Sequence, residues 1–144
     1  MALRIKLLAR PTSNMDSNNQ QTAASAPLIN VTRLSAALAA FAAERNWDQF
    51  HSPKNLSMAL TGEVGELSEI FQWLTEEASK SAASNPDTAT AVREELADVT
   101  LYLVRLASVL GVDLNEAVTQ KLKKNAEKYP VEKANGTHKK YDKL

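Results

Sequence analysis

Apolar residues recur at helical rather than strand spacing along most of this chain, and four stretches carry the pattern. Leu34, Leu38 and Phe41 share one face of a segment from Asn30, a capping residue, to Arg45, and its alanines favour helix strongly. Ser52-Pro53 opens the second stretch, with serine as N-cap and proline at the first helical position. Its stripe of Leu56, Leu60, Leu67, Ile70 and Leu74 predicts a helix continuing to about Ser79. The polar residues 80–87, broken by Asn85-Pro86, read as a loop. A third helix is expected from Thr88 to Leu110, with Val92, Val99, Leu103, Leu106 and Leu110 facing inward and Gly111 as the stop. Asp113, three residues before Glu116, opens a fourth that ends before Pro130. No strand-period segment and no solenoid-length repeat interrupts this pattern. The fold class is therefore all-α, a four-helix bundle over residues 30–130.

The ends differ in kind. Residues 1–10 are basic, free of acids and roughly amphipathic, which loosely resembles a mitochondrial presequence, and Met15 offers a second start. Residues 12–27 form a polar Ser/Asn/Gln/Ala stretch, so residues 1–29 are expected to be a disordered leader. Residues 131–144 are lysine-rich and read as a flexible basic tail. The chain has no cysteine, which excludes disulfides and thiolate metal sites and suits the cytoplasm. No apolar run is long enough to span a membrane.

Seventeen basic and seventeen acidic residues cancel, which argues against nucleic acid as a partner. They are segregated, however. Between Leu60 and Thr100 nine acids stand against Lys80 and Arg93 alone, whereas eight lysines crowd the stretch after Thr119. Within the acidic region, Glu63 falls inside the apolar stripe of the second helix and Glu66 at its edge beside Trp73. Glu95 falls inside the stripe of the third helix, with Asp98 and Tyr102 on its flank. Each pair is spaced i, i+3, so both carboxylates leave one face. Ionised carboxylates buried together are costly unless a cation neutralises them. Oxygen-only donors favour Mg²⁺ or, as a substitute, Mn²⁺ over zinc. A di-iron bundle would use Glu-x-x-His, and neither histidine stands at that spacing.

These residues sit in a wider pattern. Trp47-Asp48-Gln49-Phe50-His51, Ser52-Pro53-Lys54-Asn55-Leu56, Leu60-Thr61-Gly62-Glu63-Val64-Gly65-Glu66-Leu67 and Phe71-Gln72-Trp73 together resemble the MazG-like all-α NTP pyrophosphohydrolases, and within them the dCTP pyrophosphatase branch. Glu94-Glu95-Leu96-Ala97-Asp98-Val99 with Tyr102-Leu103 is similar to the family's second acidic motif, and Lys121, Asn125 and Tyr129-Pro130 to its C-terminal segment. The resemblance implies a homo-oligomer, usually a tetramer, with sites between subunits. It also implies Mg²⁺-dependent conversion of a nucleoside triphosphate, dCTP or a 5-modified dCTP, to the monophosphate and pyrophosphate, a pool-cleaning activity. One departure is Leu38, where relatives of the branch can carry a histidine in the substrate pocket.

On this reading Glu63, Glu66, Glu95 and Asp98 hold the metal, and a glutamate, Glu63 or Glu66, orients the attacking water. Lys121 and Asn125 contact phosphates, Trp47 and Trp73 clamp the base, and His51 and Tyr102 offer hydrogen bonds. Phe50 is expected to pack against protein. Rival readings are a hydrolase of dUTP or damaged purine triphosphates, a metal-dependent nucleotide-binding module without turnover, and a structural bundle with surface acids.

Overall fold

A computed structural model describes residues 30–143, so the expected leader lies outside the described residues. Every regular element among them is helical, and the caps that start and stop the helices are mostly those the sequence advertises. Asn30 Oδ1 accepts from the Thr32 N–H at 3.3 Å, and Val31 rather than Asn30 takes the cap position of α1 (Thr32–Glu44). Asn46 turns the chain out of α1 at φ 53°, a left-handed conformation that asparagine tolerates better than most residues. The aromatic connection is wound into a 3₁₀ turn, Asp48–Phe50, anchored by the Trp47 N–H on the Ala42 carbonyl at 2.9 Å. Ser52 Oγ then accepts from the Asn55 N–H at 3.2 Å and opens α2 (Pro53–Phe71).

Here the structure departs from the expected boundary. α2 stops at Phe71 instead of running to Ser79, and a short α3 (Glu76–Ser79) follows. Thr75 is the cause: its extended backbone starts a new helix, its Oγ1 accepts from the Ala78 N–H at 3.1 Å, and Glu76 and Glu77 supply acids to the first turn. The Thr75 hydroxyl diverts the chain where no glycine or proline marks a break. The connection to α4 (Ala89–Val109) is tied down by the Thr88 hydroxyl on the Ala82 carbonyl (2.7 Å) and Arg93 Nη2 on the Ala83 carbonyl (3.1 Å). Gly111 at φ 67° ends α4 as expected. Asp113 Oδ1 accepts from the N–H groups of Asn115 (2.8 Å) and Glu116 (3.2 Å) and opens α5 (Leu114–Lys128). The segment read as a loose tail contains α6 (Val131–Ala134) and a 3₁₀ turn, Tyr141–Lys143, whose Tyr141 ring meets Tyr129 edge-on at 6.1 Å.

α4 is the central element, packed against α2 and, less extensively, α1. His51 meets Arg105, Ala59 and Tyr102 share a cavity wall, Glu63 feels Asp98, and Ile70 lies near Ala91. This opposite order makes α2 and α4 antiparallel. Leu38, Ala42, Leu56, Ala82, Val92, Val104 and Ala107 form the core. Leu103 and Leu110, expected inside, are 44% and 55% exposed, and Leu96 is 50% exposed. The reason is that α2 covers the face of α4 bearing Glu95, Asp98, Tyr102 and Arg105, which leaves the leucine row only partly covered. Unlike α1, α2 and α4, α5 carries no buried residue, although Leu114, Val118 and Asn125 are half-buried. No helix among them is long and apolar enough to cross a membrane.

Candidate functional site

The antiparallel pairing of α2 and α4 brings acids from both helices to one place. Carboxylate oxygens of Glu63, Glu66 and Glu95 all lie within 4.8 Å of one another. Glu63 is buried, Glu95 half-buried and Glu66 exposed, so the cluster opens to solvent on one side. Burial raises the Glu63 carboxyl above its ordinary value, and the charges of Asp98, Glu66 and Glu95 push it the same way. Asp98 stands outside the tight trio, yet its charge acts on both Glu63 and Tyr102. Four carboxyl groups in mutual repulsion, one of them buried, fit a hard divalent cation: all donors are oxygens, and the ion's charge offsets the repulsion. Glu69 joins Glu66, Glu95, Ile70 and Ala91 around a shallow depression beside the cluster.

Next to the acids lies a cavity of about 170 Å³, lined by Trp47, Phe50, His51, Asn55, Leu56, Ala59 and Tyr102. Three residues expected to touch substrate, Trp47, His51 and Tyr102, thus meet in one concavity. Trp47 is held there by edge contacts with Phe41 (centroids 5.7 Å) and His51 (6.4 Å). Phe50, expected to pack against protein, is 57% exposed and forms part of the lining instead. Asn55 Nδ2 donates to the Phe50 carbonyl at 3.0 Å, which ties the lining together at the start of α2. Tyr102 belongs to both features. Burial raises its hydroxyl above the usual tyrosine value, with Glu63 and Asp98 adding to the effect, so it stays a protonated donor between acids and cavity.

Two residues that sequence reasoning did not single out, Arg105 and Asp48, act on His51 of this wall without lining the cavity themselves. Arg105 is only 9% exposed; its Nε donates to His51 Nδ1 at 3.1 Å, and its Nη2 pairs with Asp48 Oδ1. Burial lowers the His51 value, the Arg105 charge lowers it further, and Asp48 opposes them. The available signal was a lone arginine in the apolar run Leu103-Val104-Arg105-Leu106-Ala107, one turn beyond Tyr102.

Other expected site residues are not brought to this place within one chain. Trp73 sits in the turn after α2 and is 87% exposed, outside the lining of the Trp47 cavity. Lys121 and Asn125 line a separate shallow depression on α5 with Ala117, Val118 and Leu122. Leu38 is a core side chain of α1, 4% exposed.

Comparison with known proteins adds an independent line. The pattern of the MazG-like family matches residues 59–144. The dCTP pyrophosphatase 1 of Bos taurus is 49% identical over 106 residues, which cover 74% of this chain and 63% of the bovine protein. That of Homo sapiens is 48% identical over 106 residues, covering 74% of this chain and 62% of the human one. The chain thus spans less than two thirds of the length of these relatives. Among solved structures, a pyrophosphatase from Archaeoglobus fulgidus superposes with a TM-score of 0.63 at 38% identity, over 68% of this chain and 90% of the other.

Proposed function

The chain belongs to the MazG-like family, and on that premise we propose that it is a Mg²⁺-dependent nucleoside-triphosphate pyrophosphohydrolase converting dCTP, and 5-modified dCTP, to the monophosphate and pyrophosphate. The observation that carries this reading is the place of Tyr102, which lines a base-sized cavity while lying under the charges of Glu63 and Asp98. A nucleotide whose base enters the cavity lays its phosphates toward the acids. The printed names of the bovine and human relatives support dCTP as substrate.

Glu63, Glu66, Glu95 and Asp98 would hold the metal, with Mg²⁺ favoured by the oxygen donor set. When bound, the ion supplies charge neutralisation for the triphosphate and Lewis-acid polarisation of its phosphoryl oxygens. The protein's own part is orientation. Trp47 offers a ring for stacking the base, Tyr102 offers a hydroxyl proton to the sugar or phosphates, and the carboxylates orient a water by accepting its protons. Leu56 and Ala59 keep the inner end of the cavity apolar.

Hydrolysis rates over a panel of dCTP, 5-methyl-dCTP, dUTP, dTTP and a purine triphosphate test the substrate. We expect the cytosine nucleotides to lead, and Trp47→Ala to raise KM for dCTP by about 10- to 100-fold through lost stacking worth about 1–3 kcal/mol. Flat rates over the panel overturn the cytosine preference.

Self-association follows from uncovered surface. Leu96 and Leu103 on α4 and Leu110 at its C-cap recur every seven residues, each at least 44% exposed, and Met58 on α2 is 66% exposed. A second copy covers such a face, and a tetramer with sites between subunits gives the outlying Trp73, Lys121 and Asn125 a role: they complete a neighbour's cavity and meet its phosphates. Sedimentation at micromolar concentration is expected to show an oligomer. A fully active monomer contradicts this.

A further inference from the structure

Arg105 pairs with Asp48, whose side chain is 60% exposed, yet its Nε–H is aimed at His51 Nδ1 at 3.1 Å. That aim has a chemical consequence. A guanidinium has donors only, so His51 Nδ1 must be the acceptor, and a neutral ring then carries its proton on Nε2. Burial and the adjoining positive charge both oppose a second proton on the ring, outweighing Asp48. His51 also lines the cavity, with its ring against the Trp47 edge and with Tyr102 and Asn55 on the same lining.

We propose that Arg105, held by Asp48, is a positioning residue that presents His51 to the cavity as a neutral Nε2–H donor, so that His51 reads a hydrogen-bond acceptor on the edge of the nucleobase. This deepens the functional reading above and rests on it in taking the cavity as the base site. The other tautomer would present a bare nitrogen and select an exocyclic amino group; the Nε2–H form selects a ring carbonyl or an unprotonated ring nitrogen. Cytosine carries both acceptors side by side. Arg105 therefore bears on which base is held, through the imidazole and without touching the nucleotide.

Long-range ¹H–¹⁵N spectra of the ¹⁵N-labelled full chain test the tautomer, with the exposed His138 as reference. At neutral pH we expect His51 to show an unprotonated Nδ1 and a protonated Nε2, and dCMP to shift the Nε2–H resonance. A proton on Nδ1, a doubly protonated ring, or no shift with dCMP overturns the proposal. These spectra need no turnover, so they decide it even if the hydrolase reading fails. In Arg105→Met the tautomers are expected to average, and KM for dCTP to rise about tenfold with kcat little changed, as fits one lost hydrogen bond. Hydrolysis of 2-deoxyribose 5-triphosphate, which has no base, should be unaffected. Equal losses on both substrates would mean a merely structural arginine. If Arg105→Met fails to fold, the wild-type spectra still decide.

Discussion

Glu63→Gln is expected to lower dCTP turnover roughly a thousandfold, equivalent to about 4 kcal/mol of transition-state stabilisation, while making the metal-free protein more stable. The two halves share one cause. Glu63 is buried between the charges of Asp98, Glu66 and Glu95, and its carboxyl is pushed above the ordinary range. A carboxyl so shifted favours the fold when protonated; that contribution is lost as pH rises from the unfolded-state value through the raised one. At neutral pH its ionisation therefore works against the metal-free fold. Glutamine keeps the shape and removes the charge, so the metal-free melting temperature rises. The same change removes one carboxylate of the trio, so the stabilisation expected from Mg²⁺ shrinks. Melting curves with Mg²⁺ and with EDTA, beside rates, read both effects. Activity within tenfold of wild type, or a lower metal-free melting temperature, would contradict the assignment.

Leu56→Ala is expected to cost about 2–5 kcal/mol of stability, the range for emptying a well-packed leucine site. Leu56 is 2% exposed, the one large side chain among the described residues with essentially no accessible surface. It also backs the cavity between Trp47 and Tyr102, so truncation enlarges that cavity. Against the roughly 5–15 kcal/mol of a typical domain, such a loss leaves a protein that melts far earlier. Denaturant unfolding at one fixed protein concentration measures it, since association couples to stability. A loss below about 1 kcal/mol would mean that the site collapses freely, which the α2–α4 packing does not predict.

Much of this was legible in the sequence because short-range chemistry carried it. Ser52-Pro53, Asp113 and Gly111 each mark a helix end by a local hydrogen bond or a local dihedral, and each does so in the structure. Glu63, Glu66 and Glu95 were readable because acids within an apolar stripe are conspicuous, and i, i+3 spacing fixes their common face. The break after Phe71 was missed because hydrophobic periodicity continues through Leu74, whereas the Thr75 cap and the acids behind it end the helix. The face that α4 turns inward was readable only in part. The covered face is shifted toward the flank with Asp98 and Tyr102: Val92 of the expected stripe is buried and Val99 and Leu106 are half-buried, whereas Leu103 and Leu110 stay open. The Asp48–Arg105–His51 set joins residues more than fifty positions apart, and only the antiparallel register brings them together. Trp73, Lys121 and Asn125 are the residues whose expected roles a single chain does not assemble.

On the proposed function, the acids of α2 and α4 serve hydrolysis of a nucleotide held in the Trp47 cavity. The most direct test follows dCTP incubated with the wild-type chain in Mg²⁺ and in EDTA, with dCMP and pyrophosphate quantified together. Equimolar dCMP and pyrophosphate are expected in Mg²⁺, and neither in EDTA. Saturable dCTP binding in Mg²⁺ without either product would contradict this reading, and would make the chain a nucleotide-binding module in place of an enzyme.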